Sequence, residues 1–237
     1  YREIQIFIRI CKKLKIESIG YMHSRFSKYR VSLKYDCFDK YIVWTNYFKK
    51  KLIEINSNYK NKVLVSNFRN FKKIRYRRPN KDLKLLFFSD SRMDYKSVIS
   101  YLNQLKKKKI KVFVKLKTNQ TENNVFLNYV NNSNFIKIDE KNVAIAVHKY
   151  NPQFFVATNS NVLLEASLYN CFPVLLKTNN DYSFDLIKDK ISFQYSGKSD
   201  FYDFLRKLMN KRHLIDNIYN KVWKSNNDFR NIKNFLN

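Results

Sequence analysis

Thr158, Asn159, Ser160 and Asn161 form a polar turn between an apolar run, Phe154 to Ala157, and a helical pattern that carries one acid, Glu165. Residues of these types in this order can hold a phosphate. In an open α/β sheet, ligands bind beyond the carboxyl ends of parallel strands, where a helix N-terminus offers unpaired N–H groups. Two cations follow other apolar runs: Arg92 in Ser89-Asp90-Ser91-Arg92, and Lys117 in Lys115-Leu116-Lys117-Thr118. They would neutralise the phosphates from adjacent strand ends, with Ser89 of the same loop as Arg92 as a further nucleotide-binding residue. Plainer roles compete with each assignment. Ser160 suits a helix N-cap with no ligand, Glu165 suits a solvated helix face, and Arg92 and Lys117 suit surface charges in so basic a chain.

These residues need a sheet to position them, and the hydrophobic pattern predicts one. From Lys81 onward, apolar runs alternate with helical periods: strand Leu83 to Phe88, helix Tyr95 to Lys108, strand Val112 to Lys115, a helix through Val125 and Tyr129, and strand Phe135 to Ile138. A short helix Val143 to Tyr150, the Phe154 strand with its helix, and strand Phe172 to Leu176 follow, and two helices close the chain. Such alternation predicts an α/β fold with a parallel sheet covered by helices on both faces. Upstream, an amphipathic helix over Ile4 to Leu14 leads to strand Ile16 to Met22, a loop Ser24 to Asp39, strand Tyr41 to Trp44, a helix across Phe48, Leu52 and Ile55, and strand Val63 to Val65. The basic stretch Phe71 to Pro79 reads as a connection.

Composition narrows the classes. The 237 residues, 44% of them apolar, suffice for one large domain or two small ones. A net charge of +28 calls for an anionic partner or reflects the codon bias of an AT-rich genome, since Gly (2) and Pro (3) are scarce while Lys, Asn, Ile, Phe and Tyr abound. Three widely spaced cysteines, Cys11, Cys37 and Cys171, with no CxxC pair, predict a reduced, cytosolic chain and no metal site. No apolar stretch approaches the roughly 20 residues that span a bilayer. The N-terminus has neither an initiator Met nor a signal-peptide pattern, so Tyr1 is expected to lie within a longer protein or at an artificial boundary.

Four segments resemble the bacterial GT-B glycosyltransferases of capsule and lipopolysaccharide biosynthesis, over nearly the whole chain. The motif T-x-S-T-x-x-x-E-A-x-x-x-G-x-P-V-x is matched by Thr158, Ser160, Glu165, Ala166, Pro173 and Val174, with Asn161 and Asn170 in place of the second Thr and the Gly. A Q-H-G turn corresponds to Met22, His23 and Ser24, and G-N-P-R to Ser66, Asn67, Phe68 and Arg69. K-P-H-P corresponds to Lys115, Leu116, Lys117 and Thr118, with Lys where the family has a proton-shuttling His.

The resemblance implies two Rossmann-like domains with the active site in the cleft between them. Residues 1–78 would be a partial, acceptor-side domain with its linker, and 79–237 the domain that binds the nucleotide-sugar. It implies transfer of a sugar to a surface polysaccharide without a metal or other cofactor, Glu165 on the donor ribose, and His23 as general base, with Asp36 or Asp39 as substitutes. The partners implied are a nucleotide-sugar, a glycan or lipid-linked glycan acceptor and the anionic inner face of a membrane, approached from the cytoplasm. Nucleic acid is not among them, although Tyr76 between basic residues could stack on a base. Two alternatives stay open: a degenerate, non-catalytic relative that binds a partner, and a phosphotransferase using a CDP-polyol.

Overall fold

The computed structural model describes residues 2–22, 31–35, 37–66, 73–74, 82–90, 93–106, 108, 110–116, 124–140, 142–178 and 184–224. The chain divides into two compact units, one of residues 1–72 with 220–237 and one of residues 73–219. Among the described residues no helix is long and apolar enough to cross a membrane.

The first unit runs α1 (Arg2–Lys13), β1 (Ile19–Tyr21), α2 (Val31–Tyr35), β2 (Lys40–Val43), α3 (Asn46–Ile55), a 3-10 turn (Ser57–Tyr59) and β3 (Val63–Val65). Its three strands are parallel in the order β1-β2-β3, with Tyr21 opposite Ile42 and Ile42 opposite Leu64. Aromatic rings fill the core. Tyr41 meets Tyr59 edge to face at 5.6 Å, and Trp44 stacks on Trp223, which returns from the chain end, at 6.4 Å. Gly20 is required by this packing, because a Cβ there would collide with the Tyr41 ring and come within 2.8 Å of Phe38. Helix α1 buries Ile8 and Cys11 but leaves Ile6, Phe7 and Ile10 exposed, as is Leu14 just beyond its end. Helix α2 lies within the stretch expected to be a loop. Five residues, VSLKY, are too few to establish a helical period, and burial of Leu33 anchors the turn.

The second unit runs β4 (Leu83–Phe88), α4 (Tyr95–Lys106), β5 (Ile110–Lys115), α5 (Asn124–Asn131), β6 (Ile136–Ile138), α6 (Val143–Tyr150), β7 (Phe154–Ala157), α7 (Val162–Glu165) with a 3-10 turn (Ala166–Tyr169), β8 (Phe172–Leu176), α8 (Phe184–Lys188), β9 (Phe193–Tyr195), α9 (Phe201–Met209) and most of α10 (His213–Val222), whose last residues, 220–222, count with the first unit. All six strands are parallel, in the order β6-β5-β4-β7-β8-β9. This is the doubly wound order, in which chain direction across the sheet reverses between β4 and β7. The central strands are buried on both faces, as their unbroken apolar runs require: every residue of β7 and β8 is buried.

Two elements here were not expected. Strand β9 is three residues, FQY, too few to establish an alternation, and it exists because β8 offers it a ladder, Val174 opposite Phe193. Helix α8 is equally short. A third departure bears on function. The amphipathic helix expected after Asn161 is one α-turn that tightens into a 3-10 turn, so Glu165 ends it rather than lying within it.

Candidate functional site

Because both flanking strands are parallel, the polar residues that follow them gather along one edge of the larger sheet. Ser89 and Asp90 follow β4, Lys115 ends β5, Asp139 and Glu140 follow β6, and Thr158 to Asn161 follow β7. The turns after β4 and β7 stand side by side at the reversal point, where doubly wound sheets bind nucleotides.

The two turns differ in what they can accept. After β4, the Ser89 N–H donates to the Lys115 carbonyl (3.0 Å), extending the ladder, and Ser89 and Asp90 are buried. Asp94 then caps α4, one carboxylate oxygen accepting from the Ser97 N–H (3.2 Å) and the other from its hydroxyl (2.7 Å). A carboxylate already complements the positive end of that helix, and it repels a phosphate there. After β7 the turn is neutral. Thr158 is 3% exposed, and its hydroxyl is buried with no hydrogen-bond partner among the described residues. Ser160 Oγ accepts from the Val162 N–H at 3.3 Å, the plain capping role, while Asn161 makes no side-chain cap. Asn159, Ser160 and Glu165 are half-buried and Asn161 is exposed. A helix of one turn has little macrodipole, so any phosphate here is held by hydroxyls, amides and backbone N–H groups rather than by a helix field.

The family Gly in the same motif has a visible role. Asn170 adopts the left-handed conformation (φ 54°), allowing the Cys171 N–H to reach the Ala166 carbonyl (2.9 Å) before β8 begins. Asn is the residue next to Gly in tolerance of that region, so this replacement preserves the turn.

Sequence reasoning missed a second polar group at the same sheet edge. Glu140 Oε1 accepts from Lys149 Nζ (2.7 Å) and from the Tyr150 hydroxyl (2.8 Å), while Oε2 is buried without a partner among the described residues. The bonds from Lys149 and Tyr150 pull the Glu140 carboxyl down to about 2. Lys115 Nζ donates to the Glu140 carbonyl (2.7 Å); burial lowers the Lys115 pKa, opposed by the charges of Glu140 and Asp139. The available signal was an acid two residues after a strand, followed nine and ten residues on by Lys149 and Tyr150. His23, Arg92 and Lys117, together with Asp36, Asn67 to Arg69 and Thr118, lie outside the described residues.

No family model matches the chain, and no curated protein matches it. Solved structures do. The UDP co-structure of S. aureus MnaA aligns over 99% of this chain and 78% of its own, at 11% identity and a TM-score of 0.57. The glycotransferase of kitacinnamycin aligns over 99% and 74% respectively, at 11% identity and TM-score 0.56. CalG4, the calicheamicin glycosyltransferase, aligns over 98% and 60%, at 8% identity and TM-score 0.55. At such identities the likeness is one of fold: an α/β architecture of parallel, helix-flanked sheets shared with GT-B glycosyltransferases.

Proposed function

We propose that the chain binds a nucleotide-sugar through the turn after β7 and serves a glycosyltransferase that extends a surface polysaccharide, capsule or lipopolysaccharide. The observation that carries the reading is the unpartnered, buried Thr158 hydroxyl in a neutral polar turn at the reversal point of a doubly wound sheet, opposite a β4 turn already supplied with an acid. Departure of a nucleoside diphosphate places negative charge on its phosphates in the transition state, and fixed donors stabilise that charge without a metal. Thr158, Ser160 and Asn161 would supply donors, Arg92 and Lys117 would supply cations, Glu165 would hold the ribose, and His23 would take the acceptor proton. The acceptor would be a glycan or lipid-linked glycan met at the cytoplasmic face of a membrane, whose anionic headgroups suit a chain of charge +28.

A sheet of three strands among the described residues, with an exposed apolar flank on α1, is small for the acceptor half of such an enzyme. Residues 1–237 alone are therefore expected to bind nucleotide without transferring sugar. Calorimetric titration with UDP, GDP, CDP and CMP tests the reading. Binding of a nucleoside diphosphate, weakened by Ser160→Ala and Glu165→Ala, supports it; no binding by any of the four overturns it.

A further inference from the structure

Resting on the part of that reading that brings the chain to a membrane, we propose that α1 is the element that touches it. The helix lies in the plane of an anionic bilayer surface, with Ile6, Phe7, Ile10 and Leu14 at the acyl boundary and its cations among the headgroups.

The apolar side of α1 is wider than the protein core uses. At about 100° per residue, Ile4, Ile6, Phe7, Ile8, Ile10, Cys11 and Leu14 occupy one arc of the helix. Ile8 and Cys11, on one flank of that arc, are buried in the unit. Ile6, Phe7, Ile10 and Leu14, toward the other flank, are 56, 53, 50 and 60% exposed. Leu14 extends the stripe past the helix end, because its N–H still bonds the Ile10 carbonyl (2.9 Å). The turn then closes, with Lys15 in the left-handed conformation (φ 57°) and the Ile16 N–H on the Cys11 carbonyl (2.9 Å). Four large apolar side chains exposed together on one face mark an interaction surface.

Charge decides what covers it. Arg9 and Lys13, three residues on from Ile6 and Ile10, border the stripe, and both are exposed, as are Lys12 and Lys15. A composition rich in Ile and Lys would scatter both around the helix, whereas here they are sorted to opposite sides. Glu3 is the acid of the helix; it complements the N-terminal dipole in the first turn and marks where insertion stops. Glu17, beyond the helix, is paired with Lys40 (3.0 Å). A second copy of the chain fits this face poorly, since it would set the same cations, on chains of charge +28, against one another. A bilayer with anionic headgroups matches both halves of the pattern. The stripe sinks to the acyl boundary while the Lys and Arg side chains reach the phosphates beside it. Twelve residues are too few to span a bilayer, so the contact is in its plane.

The test is flotation of the whole chain with vesicles of phosphatidylcholine, with and without phosphatidylglycerol. The wild-type protein should bind the phosphatidylglycerol vesicles at least about tenfold more tightly, the worth of two cations at an anionic surface, and added salt should weaken that binding. Phe7→Ser/Ile10→Ser should lose about tenfold or more as two side chains cease to insert, and Lys13→Gln about fivefold. Val125→Ser/Ile145→Ser removes two side chains that are 63 and 56% exposed in the second unit and should bind as the parent does. All these positions are exposed, so circular dichroism of each variant should match the parent. If Phe7→Ser/Ile10→Ser binds as tightly as the parent, overall charge does the work and the proposal is overturned. Absence of vesicle binding, or equal binding to neutral vesicles, overturns it as well. So does a dimer in sedimentation velocity that Phe7→Ser/Ile10→Ser dissolves, because the stripe then belongs to a second copy. Nucleotide titration keeps the two readings apart. A chain that binds a nucleoside diphosphate but no vesicle loses the membrane helix alone; one that binds vesicles through α1 but no nucleotide loses the site reading alone.

Discussion

Replacing Thr158 by Val separates a ligand-facing hydroxyl from one that merely happens to be buried. The exchange keeps the branched shape and swaps the hydroxyl for a methyl at a residue 3% exposed, so the packing of β7 is nearly unchanged. In the free protein the hydroxyl has no hydrogen-bond partner among the described residues, and a buried, unsatisfied polar group costs about 1–3 kcal/mol. Its removal should therefore stabilise the free protein by about 1 kcal/mol, a rise in Tm of roughly 2–4 °C for a chain of this size. With a nucleoside diphosphate present the effect reverses. A hydroxyl donating to a phosphate oxygen contributes about 1.5–3 kcal/mol, so Kd should rise by roughly tenfold to a hundredfold. Thr158→Ser, which keeps the hydroxyl, should bind nearly as the parent does. Thermal melts of the free proteins and calorimetric titration with the best-binding diphosphate give both quantities. The opposite signs are the diagnostic, because general damage to the turn would lower stability and affinity together. A Thr158→Val protein that melts several degrees lower, or that binds nucleotide with unchanged affinity, refutes the reasoning.

Ser160→Ala should weaken nucleotide binding by about 1 kcal/mol and Glu165→Ala by about 1.5–3 kcal/mol, measured by calorimetry on variants whose circular dichroism matches the parent. Glu140 has a folded pKa near 2, below its ordinary value of 4.5, so its contribution to stability is full above pH 4.5 and is lost as pH falls toward 2. Urea midpoints should accordingly separate parent from Glu140→Gln more widely at about pH 6 than at about pH 3; an equal gap would show that the carboxylate's bonds to Lys149 and Tyr150 add nothing to folding. Tyr129 is displaced the other way, to about 12, chiefly by burial, so stability present below pH 10 should fall between pH 10 and 12, and Tyr129→Phe should flatten that fall. Gly20→Ala drives a methyl into the Tyr41 ring and should cost about 1–3 kcal/mol through overpacking, read as a lower urea midpoint; an unshifted midpoint would mean that the strand yields freely.

The larger sheet was legible in the amino-acid order because its signals are local and repeated. Strands β4, β7 and β8 are unbroken apolar runs, and the helices between them carry buried positions at helical spacing, such as Val98, Leu102 and Leu105. The polar turn Thr158 to Asn161 was legible for the same reason, as an abrupt change of residue type at a strand end. Other features depend on contacts between residues far apart in the chain, and local pattern does not carry them. The three residues of β9 form a strand only against β8. The helix after Asn161 is cut to a single turn as the chain tightens through Ala166 to Tyr169 and turns at Asn170 into β8. Glu140 looks like any solvated acid until the fold brings Lys149 and Tyr150 to one of its oxygens and closes off the other. Strand order itself was decided in three dimensions. Alternating βα units prescribe a parallel sheet, but only the packed sheet sets β4 beside β7, which turns two separate loops into neighbours at one edge.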